Sequence, residues 1–246
     1  MKKQKFIDNI SPIFKYGICH RGLHTEEFTE NGMNAFLNAK NHNMAIELDV
    51  HLTTDDELIV CHDSDLIRTT GKPGIIEEMT SKEIKENYRL RDGEEISTLR
   101  EVMDRINEEV PIVIELKVWQ KNYKALAKRV QKEIANVKDK KNYILISFDP
   151  RALTPFKHSG FMRQLLLVAE GKYTALYPLR HLFEAIDIDF HALGKKKVIK
   201  YYQKHYVNAW TIQSVEELMA VKDHCDVVTF QNIDPELVKE TMSKKR

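Results

Sequence analysis

Cysteine is scarce, net charge is nearly absent and long apolar runs are missing, and each shortage excludes a class of protein. Three cysteines in 246 residues, odd in number and far apart, supply neither a disulfide framework nor a thiolate zinc site. Lys and Arg total 38 against 37 Asp and Glu, a net charge of +1. That balance argues against a basic surface spread over the molecule, and no nucleic-acid partner is expected. No stretch is apolar for long enough to span a bilayer. The opening "MKKQKFIDNISPIFKYGI" starts basic, but Asp8, Asn9 and Pro12 interrupt it. It does not read as a signal peptide, and the cytoplasm is the expected compartment. Internal repeats, low-complexity tracts and Gly/Ser linkers are also lacking. What remains is an ordinary globular composition, 42% hydrophobic and 30% charged, in a chain long enough to bury a sizeable core without cross-links.

Short apolar runs alternate with amphipathic stretches along the chain. The strand candidates are "GICHR", "AIELDVHL", "ELIVCHD", "PIVIELKV", "YILISFD", "RQLLLVA", "AIDIDFHAL", "VNAWTIQ" and "CDVVTFQ". Between them, Thr29 to His42 predicts a helix with Thr29 as N-cap and Glu30 in the first turn. Ser97 to Glu108 predicts another, with Leu99, Val102, Met103 and Ile106 on one face. "SVEELMAVKDH" follows the same plan, with Ser214 capping and Glu217 at the capping-box position. This alternation predicts a parallel sheet covered by helices, and roughly eight such units in ~250 residues fit a closed (β/α)8 TIM barrel. The spacing is uneven after the second strand. A small insertion is expected at about 54–96, within a single domain covering residues 1–246.

The informative polar residues fall in or just after strands, where a barrel places its active site. "CHRG" sets His20 and Arg21 at the end of the first strand. "IELDV" puts Glu47 and Asp49 on one strand face, "IVCHD" ends in His62, and "IELKV" puts Glu115 and Lys117 on one face. Alone, each pattern is explained by a solvated strand face. Together, three carboxylates are costly to gather unless a cation joins them. An all-oxygen set suits a hard divalent ion, Mg2+ or Ca2+, with zinc through His20 or His62 a weaker option. Arg21 and Lys117 suit phosphate oxygens, and two imidazoles suit proton transfer to and from a phosphodiester. Cys19 and Cys61 read as small core residues. His51 reads as structural or rim, and Trp210 taken by itself reads as core.

These residues also form an ordered set of motifs. "CHRGLHTEEFTENGMNAFLNA", "IELDVHLTTDDELIVCHDSDLIRTTGKPGIIEEMT", "STLREVM" and "VIELK" resemble the glycerophosphodiester phosphodiesterase family closely from Tyr16 to Val118, and "ISFD", "AWTIQ" and "CDVVTFQNIDPEL" echo it more loosely. The resemblance implies a distorted TIM barrel with a small insertion after the second strand. It also implies metal-dependent hydrolysis of small-molecule glycerophosphodiesters to sn-glycerol 3-phosphate and an alcohol, with a glycerol hydroxyl attacking phosphorus first. His20 and His62 correspond to the acid–base pair, and Glu47, Asp49 and Glu115 to the ligands of one divalent cation. Arg21 and Lys117 correspond to phosphate contacts, and Trp210 and Phe148 to pocket walls. Four departures stand out. Thr29 replaces a proline and Gly32 a capping Ser or Thr, the last strand "CDVVTFQN" lacks the usual glycine and proline, and Gln213 stands where an asparagine follows W-T-V in the family. Lysophospholipase D activity, or hydrolysis of a polyol phosphate, keeps the same site with another substrate. An acyl chain would need an apolar segment near the barrel mouth, for which "SPIFKYGI" is the candidate. A silent binding barrel is the reading of another class. The order of acid and base, the head group and the oligomeric state stay open at this point.

Overall fold

In the strand Ala45–Leu52, all eight residues are buried, which a sheet wetted on one face does not allow. Ile46, Leu48, Val50 and Leu52 pack into the core beneath the helices. Ala45 joins a separate inner cluster, and Glu47, Asp49 and His51 follow it on the same face at the two-residue period of a strand. Both faces are covered because the sheet closes on itself.

The computed structural model describes residues 2–168 and 175–244. Eight of its strands are parallel: β1 (Ile18–Cys19), β2 (Ala45–Leu52), β4 (Ile112–Leu116), β5 (Tyr143–Ser147), β6 (Met162–Leu167), β7 (Ala185–Asp189), β8 (Val207–Ile212) and β9 (Val227–Phe230). β1 pairs with both β2 and β9 and closes the ring. This is the expected (β/α)8 barrel, and every strand candidate read from the sequence is present. The additional strand β3 (Leu58–Val60) lies antiparallel on β2, with Val60 opposite Val50. It begins the insertion, which continues through α3 (Ile67–Thr70) and α4 (Ser81–Asn87) to α5 (Leu99–Ile106). The insertion carries a small core of its own around Ile59, Leu66, Ile76, Ile84 and Tyr88.

The first residues of the strands leave an apolar disc at the N-terminal end of the barrel. Phe6 of α1 (Lys2–Ile7), Ile10 and Phe14 cover it, packing on Ile18, Ala45 and Val113, and Phe6 stacks on Tyr206 with ring centroids 4.5 Å apart. "SPIFKYGI" is therefore not an exposed element at the mouth. Its Phe14 is fully buried at the opposite end, because that disc must be kept from water.

The helix caps divide the same way. Thr98 caps α5 in a complete capping box with Glu101, and Leu99, Val102, Met103 and Ile106 are all buried. Ser214 accepts the Glu217 N–H to start the helix Val215–Val221, although the Glu217 carboxylate takes the Gln213 N–H, one residue before the box position. The helix expected from Thr29 instead starts later, as α2 (Met33–Asn41), with Gly32 at the N-cap. Its cap comes from the insertion: the Glu94 carboxylate accepts the Asn34 N–H at 3.1 Å. A Cβ on residue 32 would lie 2.6 Å from Glu94 Oε2, so the glycine leaves room for a cap supplied from elsewhere. Thr29 and Glu30 are freed for the turn that leads into the site.

Candidate active site

All side chains proposed from the sequence converge at the C-terminal end of the barrel. After β1 the chain turns through a left-handed Arg21 (φ 55) and Gly22 (φ 80). A Cβ on Gly22 would lie 2.9 Å from the Ala35 carbonyl carbon, so only glycine fits. The turn aims the Arg21 N–H at Glu47 Oε2, 2.9 Å away. A left-handed non-glycine residue is held only where its surroundings fix it, and such positions cluster at functional sites. His62 follows β3. Its carbonyl faces His51 Nε2 at 3.1 Å, and His51 Nδ1 lies 2.6 Å from Glu77 Oε1. His51 is thus a brace between β2, the insertion and the His62 backbone.

Asp49 and Glu115 are register partners on β2 and β4, and Glu47 sits one pleat below Asp49. Oxygens of the three carboxylates lie within 4.8 Å of one another, all buried. Burial, and then the charges of Asp49 and Glu115, push Glu47 well above the usual carboxylate range. Glu115 is raised by burial against the opposing pull of Lys117. For Asp49, burial is outweighed by Lys117, His62 and Arg21, which hold it low. Lys117 Nζ lies 3.0 Å from Glu115 Oε1 and 3.3 Å from Asp49 Oδ1, and Arg21 Nε lies 3.6 Å from Asp49 Oδ2. Asn31 donates to Asp49 Oδ2 at 2.9 Å, while Asp49 Oδ1 has no hydrogen-bond partner among the described residues. Three converging buried carboxylates, with Asp49 Oδ1 met only by the Lys117 charge, fit a hard divalent cation.

Each histidine is fixed through Nδ1, but by a different group. His20 donates to Gln231 Oε1 at 2.6 Å, and Gln231 in turn donates to Gln213 Oε1 at 3.2 Å. His62 donates to the carboxylate of Asp63 at 2.6 Å. Asp63 is held by Arg68 at 2.5 Å, Arg68 pairs with Glu30 at 2.7 Å, and Glu30 pairs with Arg21 at 2.8 Å. A chain of alternating charge thus links the two strand ends through the insertion. Burial, then the Arg21 charge, lowers His20 to about 4 against the Gln231 hydrogen bond. Burial also lowers His62, against the opposing charge of Asp49.

Seven of the nine sequence-derived residues, among them His20, Glu47, His62, Phe148 and Trp210, line one inner cavity of about 150 Å³. Asp49 and Lys117 adjoin it through their ion pairs. Phe148 meets Trp210 edge-on at 5.7 Å. A wider cleft of about 830 Å³ opens beside it, lined by Lys117, Trp119, Phe148 and Asp149. His62 faces both spaces, whereas His20 faces only the inner one. Cys19 and Cys61 are buried thiols, and burial raises Cys61 to about 11, in keeping with core roles. Sequence reasoning gave no role in the site to Glu30, Asn31, Asp63, Arg68 or Gln231. The first four lie inside the closely matching motifs, and Gln231 lies in the looser "CDVVTFQNIDPEL", where the sequence departs from the family.

The sequence pattern of the Glycerophosphoryl diester phosphodiesterase family matches residues 20–204. The chain belongs to this family. A glycerophosphodiester phosphodiesterase of Caldanaerobacter subterraneus subsp. tengcongensis is 30% identical over 219 residues, covering 82% of this chain and 87% of that protein. Among solved structures, a glycerophosphodiester phosphodiesterase from Parabacteroides distasonis superposes with a TM-score of 0.77 at 24% identity, over 92% of this chain and 95% of that one. An Oleispira antarctica phosphodiesterase, solved with the product sn-glycerol-3-phosphate, superposes with a TM-score of 0.78 at 20% identity, over 92% and 96%. These likenesses carry the barrel, and family membership makes the chain a phosphodiesterase.

Proposed function

We propose that this phosphodiesterase hydrolyses small glycerophosphodiesters to sn-glycerol 3-phosphate and an alcohol, with glycerol in the inner cavity and the alcohol in the open cleft. The observation that carries this reading is the placement of the two imidazoles. His20 faces only the inner cavity, and His62 faces both spaces. With Nδ1 engaged on each ring, Nε2 is the nitrogen left for proton transfer. His20, backed by a neutral amide, takes the proton from the attacking hydroxyl. His62, backed by a carboxylate that favours the imidazolium, gives one to the departing alcohol. Attack of the glycerol hydroxyl on phosphorus breaks the P–O bond to the alcohol and leaves a cyclic glycerol phosphate, whose ring water then opens with the two roles exchanged. Arg21 and Lys117 offset the charge on the phosphoryl oxygens. Glu47, Asp49 and Glu115 would hold one divalent cation, Mg2+ or Ca2+, which when bound supplies a Lewis acid for a phosphoryl oxygen. Phe148 and Trp210 wall the glycerol side. We read residues 1–246 as one domain and place the protein in the cytoplasm. No described helix is long and apolar enough to cross a membrane.

The test is sn-glycerol 3-phosphate release from glycerophosphocholine with Mg2+, Ca2+ or chelator. Chelation abolishes release, and His20→Ala and His62→Ala each lower it about 10²–10⁴-fold. A diester with a p-nitrophenol leaving group needs little protonation, so it spares His62→Ala and not His20→Ala. Full activity in both variants, or indifference to chelator, rejects the scheme.

A further inference from the structure

Inside the barrel, beside the carboxylate triad, lies a buried polar cluster that the scheme above does not use. Gln164 of β6, Asp187 of β7, Asn208 of β8 and Thr229 of β9 are exposed by only 1%, 2%, 0% and 3%. Asp187 is the register partner of Asn208, and Gln164 sits one pleat deeper than Leu166, the partner of Asp187 on β6. Within the cluster, Asn208 Nδ2–H donates to Thr229 Oγ1 at 2.9 Å, and the Asn208 amide also acts on the Asp187 carboxyl. Gln164 Nε2 and Oε1, Asp187 Oδ1 and Asn208 Oδ1 have no hydrogen-bond partner among the described residues. Buried polar atoms of this kind normally have partners, so the cluster is built to meet something.

Asp187 and Thr229 open directly onto the inner cavity of about 150 Å³, whose apolar wall is formed by Ile146, Leu166, Phe148 and Trp210. The indole Nε1 of Trp210 is likewise buried and unpartnered among the described residues. An apolar wall facing unmatched donors and acceptors complements a short polyol, whose carbons lie on the wall and whose hydroxyls reach the floor. Below the floor, the apolar plug of Phe6, Ile10 and Phe14 shuts the barrel, so an acyl chain finds no exit in that direction.

We propose that Asp187, backed by Asn208 and flanked by Thr229, binds the free hydroxyls of the glycerol moiety and selects deacylated glycerophosphodiesters over acylated ones. The inference rests on the proposed function for its substrate and adds the residues that read it. Burial holds the Asp187 carboxyl up at about 8, against the pull of Asn208 and with the Glu115 charge. A carboxyl there accepts from hydroxyls in either protonation state, and when neutral it also donates.

The experiment uses Asp187→Leu, Asp187→Asn and Thr229→Val in the full chain, each checked for folding by circular dichroism. Binding of sn-glycerol 3-phosphate is measured by calorimetry. Turnover of glycerophosphocholine is compared with that of 1-acyl lysophosphatidylcholine and bis(p-nitrophenyl) phosphate. Asp187→Leu weakens product binding about 10- to 100-fold, or about 1.4–2.7 kcal/mol, and lowers the preference for glycerophosphocholine over both comparators by a similar factor, mainly through KM. Asp187→Asn, which keeps a donor and an acceptor, retains most of the binding. Thr229→Val, a change of small volume, weakens it about 3- to 10-fold and serves where Asp187→Leu does not fold. Product affinity and substrate preference within about twofold of wild type in the folded variants overturn the inference and make the cluster hydrated core. Wild-type protein inactive on glycerophosphocholine instead overturns the proposed function, and the calorimetric arm still decides the role of Asp187.

Discussion

Asp63→Asn isolates the claim that His62 is the acid of the first step. Asn preserves the volume, and its Oδ1 still accepts the His62 Nδ1–H, so the ring stays in place. What disappears is the negative charge 2.6 Å from Nδ1, on a carboxylate whose side chain is 34% exposed. A unit pair at about 4 Å is worth about 4 kcal/mol at the effective dielectric of a protein surface. Solvent screening at this exposure, and the neighbouring Arg68, reduce that to about 1–2 kcal/mol. At 1.36 kcal/mol per pH unit, the imidazolium of His62 loses its proton about one unit lower. The assay is the pH profile of kcat/KM for glycerophosphocholine and for a p-nitrophenyl glycerophosphodiester. The alkaline limb for the choline ester moves down by about one unit, with about tenfold loss near neutral pH. The p-nitrophenyl ester, which barely needs an acid, loses far less. Equal losses on both substrates with an unmoved limb would refute the reasoning, because Asp63 would then be only a loop anchor.

Three further outcomes follow from other parts of the molecule. Burial and neighbouring carboxylates raise Glu47 and Glu115, so in metal-free protein the native state keeps protons that the unfolded chain has released. Its stability therefore falls as pH rises above the unfolded carboxyl value of about 4.3. The gain in Tm on adding Mg2+ or Ca2+ is expected to be larger at about pH 8 than at about pH 5, and equal gains in a scanning fluorimetry series would count against a metal between these groups. Gly32→Ser restores a hydroxyl of the kind that caps helices, yet its Cβ would lie 2.6 Å from Glu94 Oε2 and 2.8 Å from the Thr29 carbonyl. It lowers Tm rather than raising it, and a rise would show that Glu94 is not the working cap of α2. Glu77→Leu removes the partner of His51 Nδ1 and costs about 1–3 kcal/mol in urea unfolding. It also lowers kcat through the His62 backbone, and unchanged stability and kcat would show that His51 is no brace.

How much of this was legible in the chain depends on whether the signal is local. The strands, the α5 stripe and the E-L-D and E-L-K pairs were readable because a period of two or of 3.6 is written in consecutive residues. The partners that distinguish the two histidines were not. Gln231 lies 211 residues from His20, and Arg68 reaches Glu30 from 38 residues away, so no window contains both ends. "SPIFKYGI" misled because a short apolar segment looks the same whether it plugs a barrel or lies on a surface. "AIDID" hid Asp187 for a related reason: the pattern is that of a strand with one wet face. Closure removes that explanation. Once β1 is known to pair with β9, the inner face has no bulk water, and every polar residue on it needs a partner, an ion or a ligand. Glu47, Asp49 and Glu115 answer with a cation site and His51 with Glu77. Asp187 Oδ1 and the Gln164 amide find no such answer among the described residues, and that is why the same alternation that exposed the candidate metal site also points to a hydroxyl-reading floor beside it.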